Sequence, residues 1–176
     1  PGPTPAANRV CFFDGANYSG AGFCRQVGVY NNMPGGFNNK ISSVRLHGSA
    51  KVRICEFSNM RAFCRTMTSS DNQIGSMLNN RTSSFRIYTG SLPPLKQACL
   101  FDGANFTGAH VCYRVGTYTL PAAARNKATS VRLYGRGRAR IRKNVTYGVG
   151  GANYITSNKP HLAPAWNNQT KSVRVE

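Results

Sequence analysis

Apolar and polar positions alternate in short runs along the whole chain, and nowhere with a sustained helical period. The runs fall at residues 10–13, 22–27, 43–46, 51–56, 85–88, 110–115, 130–134 and 139–143, with Gly, Asn and Ser between them. Runs of this length with turn residues at this spacing predict an all-β sandwich or barrel. The Asn-rich connections leave room for small surface helices or turns. No apolar run approaches the roughly 18 residues that a membrane helix needs.

The chain repeats itself, and then repeats within the repeat. CFFDGANYSG at 11–20 returns as CLFDGANFTG at 99–108, an offset of 88. SVRL at 43–46 returns at 130–133, an offset of 87. Within the first half, NNKISSVR at 38–45 matches NNRTSSFR at 79–86, an offset of 41. Within the second, RNKATSVR at 125–132 matches NNQTKSVR at 167–174, an offset of 42. Four units of about forty residues, arranged two plus two, are therefore expected. Pro93-Pro94 marks the seam, because consecutive prolines suit neither a helix interior nor a central strand. This places one domain at 8–89, a linker at 90–97 and a second domain at 98–176.

Six cysteines form three close pairs: Cys11 with Cys24, Cys55 with Cys64, and Cys99 with Cys112. There is no CxxC, and the three histidines are scattered, which disfavours zinc. An even count at local spacing predicts three disulfides and an oxidising, secreted or periplasmic setting. The alternative is reduced, buried cysteine. The chain starts at Pro1 without a signal-peptide core and reads as a mature or trimmed product.

Two signatures share the forty-residue period. One is an aromatic, four residues, an aromatic, one residue and Gly, at Phe13…Tyr18-Ser19-Gly20 and Phe101…Phe106-Thr107-Gly108. The other is Asn/Asp-Asn/Asp-x-x-Ser/Thr-Ser about two dozen residues later. Together they resemble the βγ-crystallin family in its microbial, calcium-binding branch, over nearly the whole chain. The resemblance implies two domains, each a wedge of two four-stranded sheets built from two Greek-key motifs.

It also implies a two-site calcium centre in each domain, made of backbone carbonyls, a Ser/Thr hydroxyl and an oxygen from the paired motif's first hairpin. Calcium takes 6–8 oxygen ligands in flexible geometry, so such donors suit it. In the first domain the expected metal residues are Asn38, Asn39, Lys40 and Ser42 in one motif and Asn79, Asn80, Arg81 and Ser83 in the other. Asp14 and Glu56 stand near the hairpin position. Lys40 and Arg81 would act only through their carbonyls. The second domain departs from the pattern: Arg125 replaces the leading Asn, and Lys171 takes the hydroxyl position. An ammonium cannot ligate a cation, so one or both sites there are expected to be lost, with Asn126, Thr129, Ser130, Asn168 and Ser172 kept as structural residues. Asn-Asn-x-x-Ser-Ser is also ordinary turn chemistry. With Asn throughout and a positive background, affinity is expected on the order of 10⁻⁴ M or weaker.

Charge sharpens the picture. Against 23 Lys and Arg stand 5 Asp and Glu, a formal +18. The run Gly135–Lys143 carries Arg136, Arg138, Arg140 and Arg142 at period two, which would set all four on one strand face as an anion-binding ladder. A solvated face is the alternative reading. An anionic cell-wall polymer, a lipid surface or a secreted protein is the expected partner. No recognisable nucleic-acid module is present, so specific nucleic acid is not expected, and a monomer is.

Catalysis is not expected: there is no GxSxG elbow and carboxylates are scarce. Trp166 recurs where Phe37 and Leu78 precede their Asn pairs, which marks it as core. The family resemblance offers two alternatives to calcium binding alone. One is a secreted peptidase inhibitor, for which segments 69–76 and 146–157 are candidate loops. The other is an antimicrobial or killer-toxin-like protein acting on cell surfaces.

Overall fold

A computed structural model describes residues 7–176. The chain divides after Leu92 into two compact units. In the first, β1 (Arg9–Phe13), β2 (Gly22–Gln26) and β4 (Ser43–His47) form one antiparallel sheet in the order β2-β1-β4. β3 (Gly28–Tyr30), β5 (Lys51–Phe57), β6 (Arg61–Met67) and β7 (Ser84–Tyr88) form the other, in the order β3-β7-β5-β6. The chain leaves β2 at Gln26 and enters the opposite sheet at Gly28, so the first motif lends β3 to the second motif's sheet. The second motif returns the loan through a single bridge, Asp71 to Val44. This exchange is the Greek-key crossover, and it interlocks the two motifs of a unit. The implied pair of four-stranded sheets is thus present with one strand reduced to that bridge.

The second unit repeats the plan. β8 (Gln97–Phe101), β9 (His110–Arg114) and β11 (Ser130–Tyr134) make one sheet. β10 (Gly116–Thr119), β12 (Ala139–Arg142), β13 (Ala152–Ile155) and β14 (Ser172–Val175) make the other. Val131 bridges to Lys159 as Val44 does to Asp71. The only helical pieces among the described residues are three short 3-10 turns, at Ala16–Tyr18, Ala104–Phe106 and Ala122–Ala124.

All three expected disulfides form. Each joins residues directly opposite on neighbouring antiparallel strands: Cys11 to Cys24, Cys55 to Cys64 and Cys99 to Cys112, with Cα atoms 4.0–4.1 Å apart. No cysteine is left free.

The same core positions are filled differently in the two units. In the first, Phe12 stacks on Phe23 at 5.0 Å and meets Phe85 at 4.4 Å, and Tyr30 stacks on Phe85 at 4.6 Å. In the second the core is aliphatic: Leu100, Leu120, Val131, Ile141, Ile155, Val173 and Val175, with Tyr113, Tyr118 and Trp166 packed at its edge. Trp166 is therefore a core-edge residue, in keeping with its place in the repeat.

Candidate metal-binding site

Each motif is built around one buried serine. Ser43, Ser84 and Ser130 have no exposed surface. Their hydroxyls donate to the carbonyls of Gly15, Phe57 and Gly103, each at 2.6 Å. They accept from the backbone N–H groups of Tyr18, Met60 and Phe106, each at 3.0 Å. Those three residues lie in the left-handed region, at φ 60°, 56° and 61°, which is costly for side chains of their size. The serine holds them there. The repeated Asn-aromatic of the first signature is this left-handed turn. Ser172 does the same for the carbonyl of Asn144 at 2.7 Å.

The second signature is also a turn. Asn39, Asn80, Asn126 and Asn168 all have φ between 56° and 58°, and Asn tolerates that region better than other non-glycine residues. The two motifs of a unit then reach across to each other. The N–H of Asn39 donates to the Thr82 carbonyl at 3.1 Å, and that of Asn80 to the Ile41 carbonyl at 2.9 Å. The hydroxyl of Ser83 donates to Asn39 Oδ1 at 3.1 Å, and that of Ser42 to Asn80 Oδ1 at 3.4 Å. The first unit therefore holds two half-sites related by a pseudo-twofold, each pairing a hydroxyl from one motif with an amide oxygen from the other.

Around the first half-site an open cleft is lined by Ala16, Ser42, Gln73, Ile74, Ser76 and Asn79. Asp14 stands beside it on the first hairpin, but its carboxylate is folded back against Gly20 of that hairpin, where a side chain at Gly20 would collide with it. At the second half-site, Glu56 is 9% exposed and lies 3.6 Å from the Arg81 guanidinium. Glu56 matches Asp14 in position: the carbonyls before them, of Cys55 and Phe13, accept from Ser83 and Ser42 respectively. Asn38 and Lys40 are exposed at the start of the first turn. Among the described residues no group of three or more His, Cys, Asp or Glu gathers. With Asp14 at one half-site and Glu56 at the other, a cation here would be held mainly by neutral oxygens.

The residues present fit calcium in chemistry. All donors are hard oxygens, and a hydroxyl that donates to an amide oxygen can rotate to offer its lone pairs. The sequence signal missed Ala16, Gln73 and Ser76. Gln73 and Ser76 lie in a connection whose counterpart in the second unit carries His161 and Pro164 at those places, so the repeat does not mark them, and Asp71 shapes it: Asp71 Oδ1 accepts from the Gln73 N–H at 3.0 Å and its carboxylate pairs with Arg65 at 2.8 Å.

In the second unit only one of the two cross-links persists. Thr129 donates to Asn168 Oδ1 at 3.3 Å, as Ser42 does to Asn80. The other would need a hydroxyl at Lys171 facing Asn126. Arg125 has its Nε committed to the Leu120 carbonyl at 2.8 Å.

The arginine ladder needs correction. Arg136 is not on the strand: it lies in the turn before β12 at φ 63°, which breaks the period of two. Arg138, Arg140 and Arg142 do alternate with buried Ala139 and Ile141. Arg140 is neutralised by an ion pair with Glu176, with a further bond from Nη2 to Oε2 at 3.3 Å, and lies over the Tyr154 ring. Arg142 donates to the Gly150 carbonyl and lies over Tyr147. The sequence could not show the ion pair of Arg140, because Glu176 arrives from the end of β14. Segment 146–157 is likewise not a loop throughout, since 152–155 is β13, paired to β12.

Comparison with known proteins bears on this architecture. The model of peptidase inhibitor family I36 matches residues 5–67. Comparison with the curated proteins found no match. Among solved structures, the chain is similar to the calcium-bound βγ-crystallin domain of Abundant Perithecial Protein from Neurospora crassa. They are 31% identical over 52% of this chain and 97% of that domain, with a TM-score of 0.44. That identity spans nearly the full domain and coincides with the Greek-key exchange and the doubled turn motif. The chain belongs to the βγ-crystallin family. Other similar structures are protein S complexed with calcium, 25% identical over 96% of this chain and 99% of that one, TM-score 0.43. A double mutant of a βγ-crystallin domain from Clostridium beijerinckii is 27% identical over 48% of this chain and all of that one, TM-score 0.44. Within the βγ-crystallin frame, the first unit has the complete pair of turn motifs and the second an incomplete one.

Proposed function

We propose that this is a secreted, non-catalytic calcium-binding protein of the βγ-crystallin type whose metal sites lie in the first domain. One observation carries this reading: the reciprocal hydroxyl–amide pairs, Ser42 with Asn80 and Ser83 with Asn39, gather oxygens from two motifs at each half-site. The carbonyl ends of the first hairpins, with Asp14 and Glu56, stand next to them. The calcium-bound state of the similar fungal domain and of protein S supports the same choice of ion. The three disulfides support secretion. In the second domain the surviving pair, Thr129 with Asn168, is the one position where a weaker site persists.

With sites near 10⁻⁴ M, about 1 mM calcium adds about 1.4 kcal/mol per occupied site to the stability of the first domain by mass action. That corresponds to a rise of roughly 6–11 °C in its thermal midpoint. Calorimetry of the full chain in calcium and in chelator measures it. The shift should vanish in Ser42→Ala/Ser83→Ala, and an equal shift in that variant would overturn the assignment of these residues.

A second reading, a secreted peptidase inhibitor, is favoured by the family I36 match over residues 5–67 of the first domain. The segment 69–76 suits an inhibitory loop, because Asp71 pins it to Val44 in both directions at 2.9 Å. Titration against peptidases of the serine, cysteine, aspartic and metallo classes tests it, and no inhibition in any class rejects it. The formal charge of +18 supports an anionic wall polymer or lipid surface as the partner, and with it the antimicrobial alternative.

A further inference from the structure

The second domain does more than lose a metal half-site: it reverses its charge. The backbone frame makes the four motifs directly comparable. The N–H groups of Ser42, Ser83, Thr129 and Lys171 donate to the carbonyls of Phe13, Cys55, Phe101 and Arg142, at 2.9, 3.0, 2.8 and 2.8 Å. The residue after each accepting carbonyl is Asp14, Glu56, Asp102 and then Lys143. Three motifs carry an acid there, and the fourth carries a lysine.

Lys143, Lys171 and Arg125 all fall at one half-site, the counterpart of the one built from Glu56, Ser83 and the Asn38–Asn39 turn. The Asn126 N–H donates to the Thr170 carbonyl at 2.9 Å, which sets the Arg125 turn beside Lys171. The Leu120 N–H donates to the Lys171 carbonyl at 2.9 Å, and Arg125 Nε reaches the Leu120 carbonyl at 2.8 Å. Lys143 Nζ rests 5.1 Å from the centre of the Trp166 ring, so its ammonium lies over the turn that leads to Lys171. Neither acid of this domain answers these charges. Glu176 is paired with Arg140, and Asp102 is folded against Gly108 in its own hairpin.

We propose that this charge-inverted half-site, formed by Lys143, Lys171 and Arg125, binds a phosphate group, either free or carried on a lipid headgroup. Two ammoniums and a guanidinium around one turn supply charge-assisted donors to several oxygens of one tetrahedral anion. The mutual repulsion of the three cations is relieved when it binds. The inference stands whether or not the first domain holds calcium.

The test uses the full chain at low ionic strength, titrated with inorganic phosphate and, separately, with phosphatidic acid in phosphatidylcholine vesicles. Lys143→Glu/Lys171→Ser copies the residues of the first domain. Lys96→Glu/Lys159→Ser removes the same net charge elsewhere in the same domain. Loss of charge-assisted contacts should weaken phosphate at least about 10-fold in the first variant, while the charge-matched control changes by less than about 3-fold. Arg125→Gln should shift affinity in the same direction, which guards against a folding defect in the double variant. Phosphate binding with vesicle binding that obeys the same variants identifies a headgroup; phosphate binding with vesicles ignored identifies a free anion. Equal losses in both double variants, or no saturable phosphate binding by the unaltered chain, overturns the proposal in favour of diffusely solvated charge.

Discussion

Phe85→Ala will destabilise the first domain by about 3–5 kcal/mol, the usual range for truncating a fully buried aromatic. Phe85 has no exposed surface and sits at the junction of the two sheets. It touches Phe12 at 4.4 Å and Tyr30 at 4.6 Å, with Phe23 at 6.0 Å. Its loss removes contacts from strands of both motifs at once, because Tyr30 belongs to the strand the first motif lends across. The counterpart in the second domain is Val173, which is equally buried but surrounded by aliphatic side chains that fill the space. Phe85→Val therefore does not become benign by matching its repeat; it leaves a cavity among rings that the second domain does not have. Denaturant unfolding followed by near-UV circular dichroism measures the effect. A loss below about 1 kcal/mol would mean that the ring cluster is not the core it is taken to be.

Ser43→Ala comes next, at about 2–4 kcal/mol. The hydroxyl carries two hydrogen bonds in a site closed to water, donating to Gly15 and accepting from Tyr18. Its removal leaves a carbonyl and an N–H without partners, and each such group costs about 1–3 kcal/mol. Tyr18 would also lose what holds it at φ 60°. Ser49→Ala, at an exposed position, should change stability by no more than about 0.5 kcal/mol. The turn held by Ser43 contains Ala16, which lines the cleft by Ser42, so the calcium-dependent rise in midpoint should shrink in Ser43→Ala even where the domain stays folded. An unchanged calcium response would separate the hairpin from the metal site.

The two effects differ in how visible they were beforehand. The serine lies in a repeated string, SVRL, and its equivalents recur at 84, 130 and 172. A residue that returns in every copy, with an Asn-aromatic pair ahead of it in the first and third, marks the shared frame. The ring cluster was less visible, because Phe12 returns as Leu100 and Phe85 as Val173. A repeat records that a position is buried, but not which partner shapes fill the space around it.

What the chain order could establish on its own was local or periodic. Alternating runs defined strands, because side chains of a strand alternate between faces. Cysteines 13 and 9 apart defined staples, because antiparallel neighbours bring such residues opposite one another. Left-handed turns were readable wherever Asn recurred. The tertiary structure decided everything that depends on a residue arriving from far along the chain. Glu176 comes from the last strand to neutralise Arg140, Arg81 swings onto Glu56, and Gln73 joins a cleft begun at Ala16. Lys143 proved to occupy the place of an acid only once Lys171 was seen bonded to Arg142. The spacing from Lys143 to Lys171 matches that from Asp14 to Ser42, but the fourth motif has neither the cysteine nor the Asp-Gly pair that marks the position in the first and third. Charge and coordination act through space at a few ångströms, and only folding sets those distances.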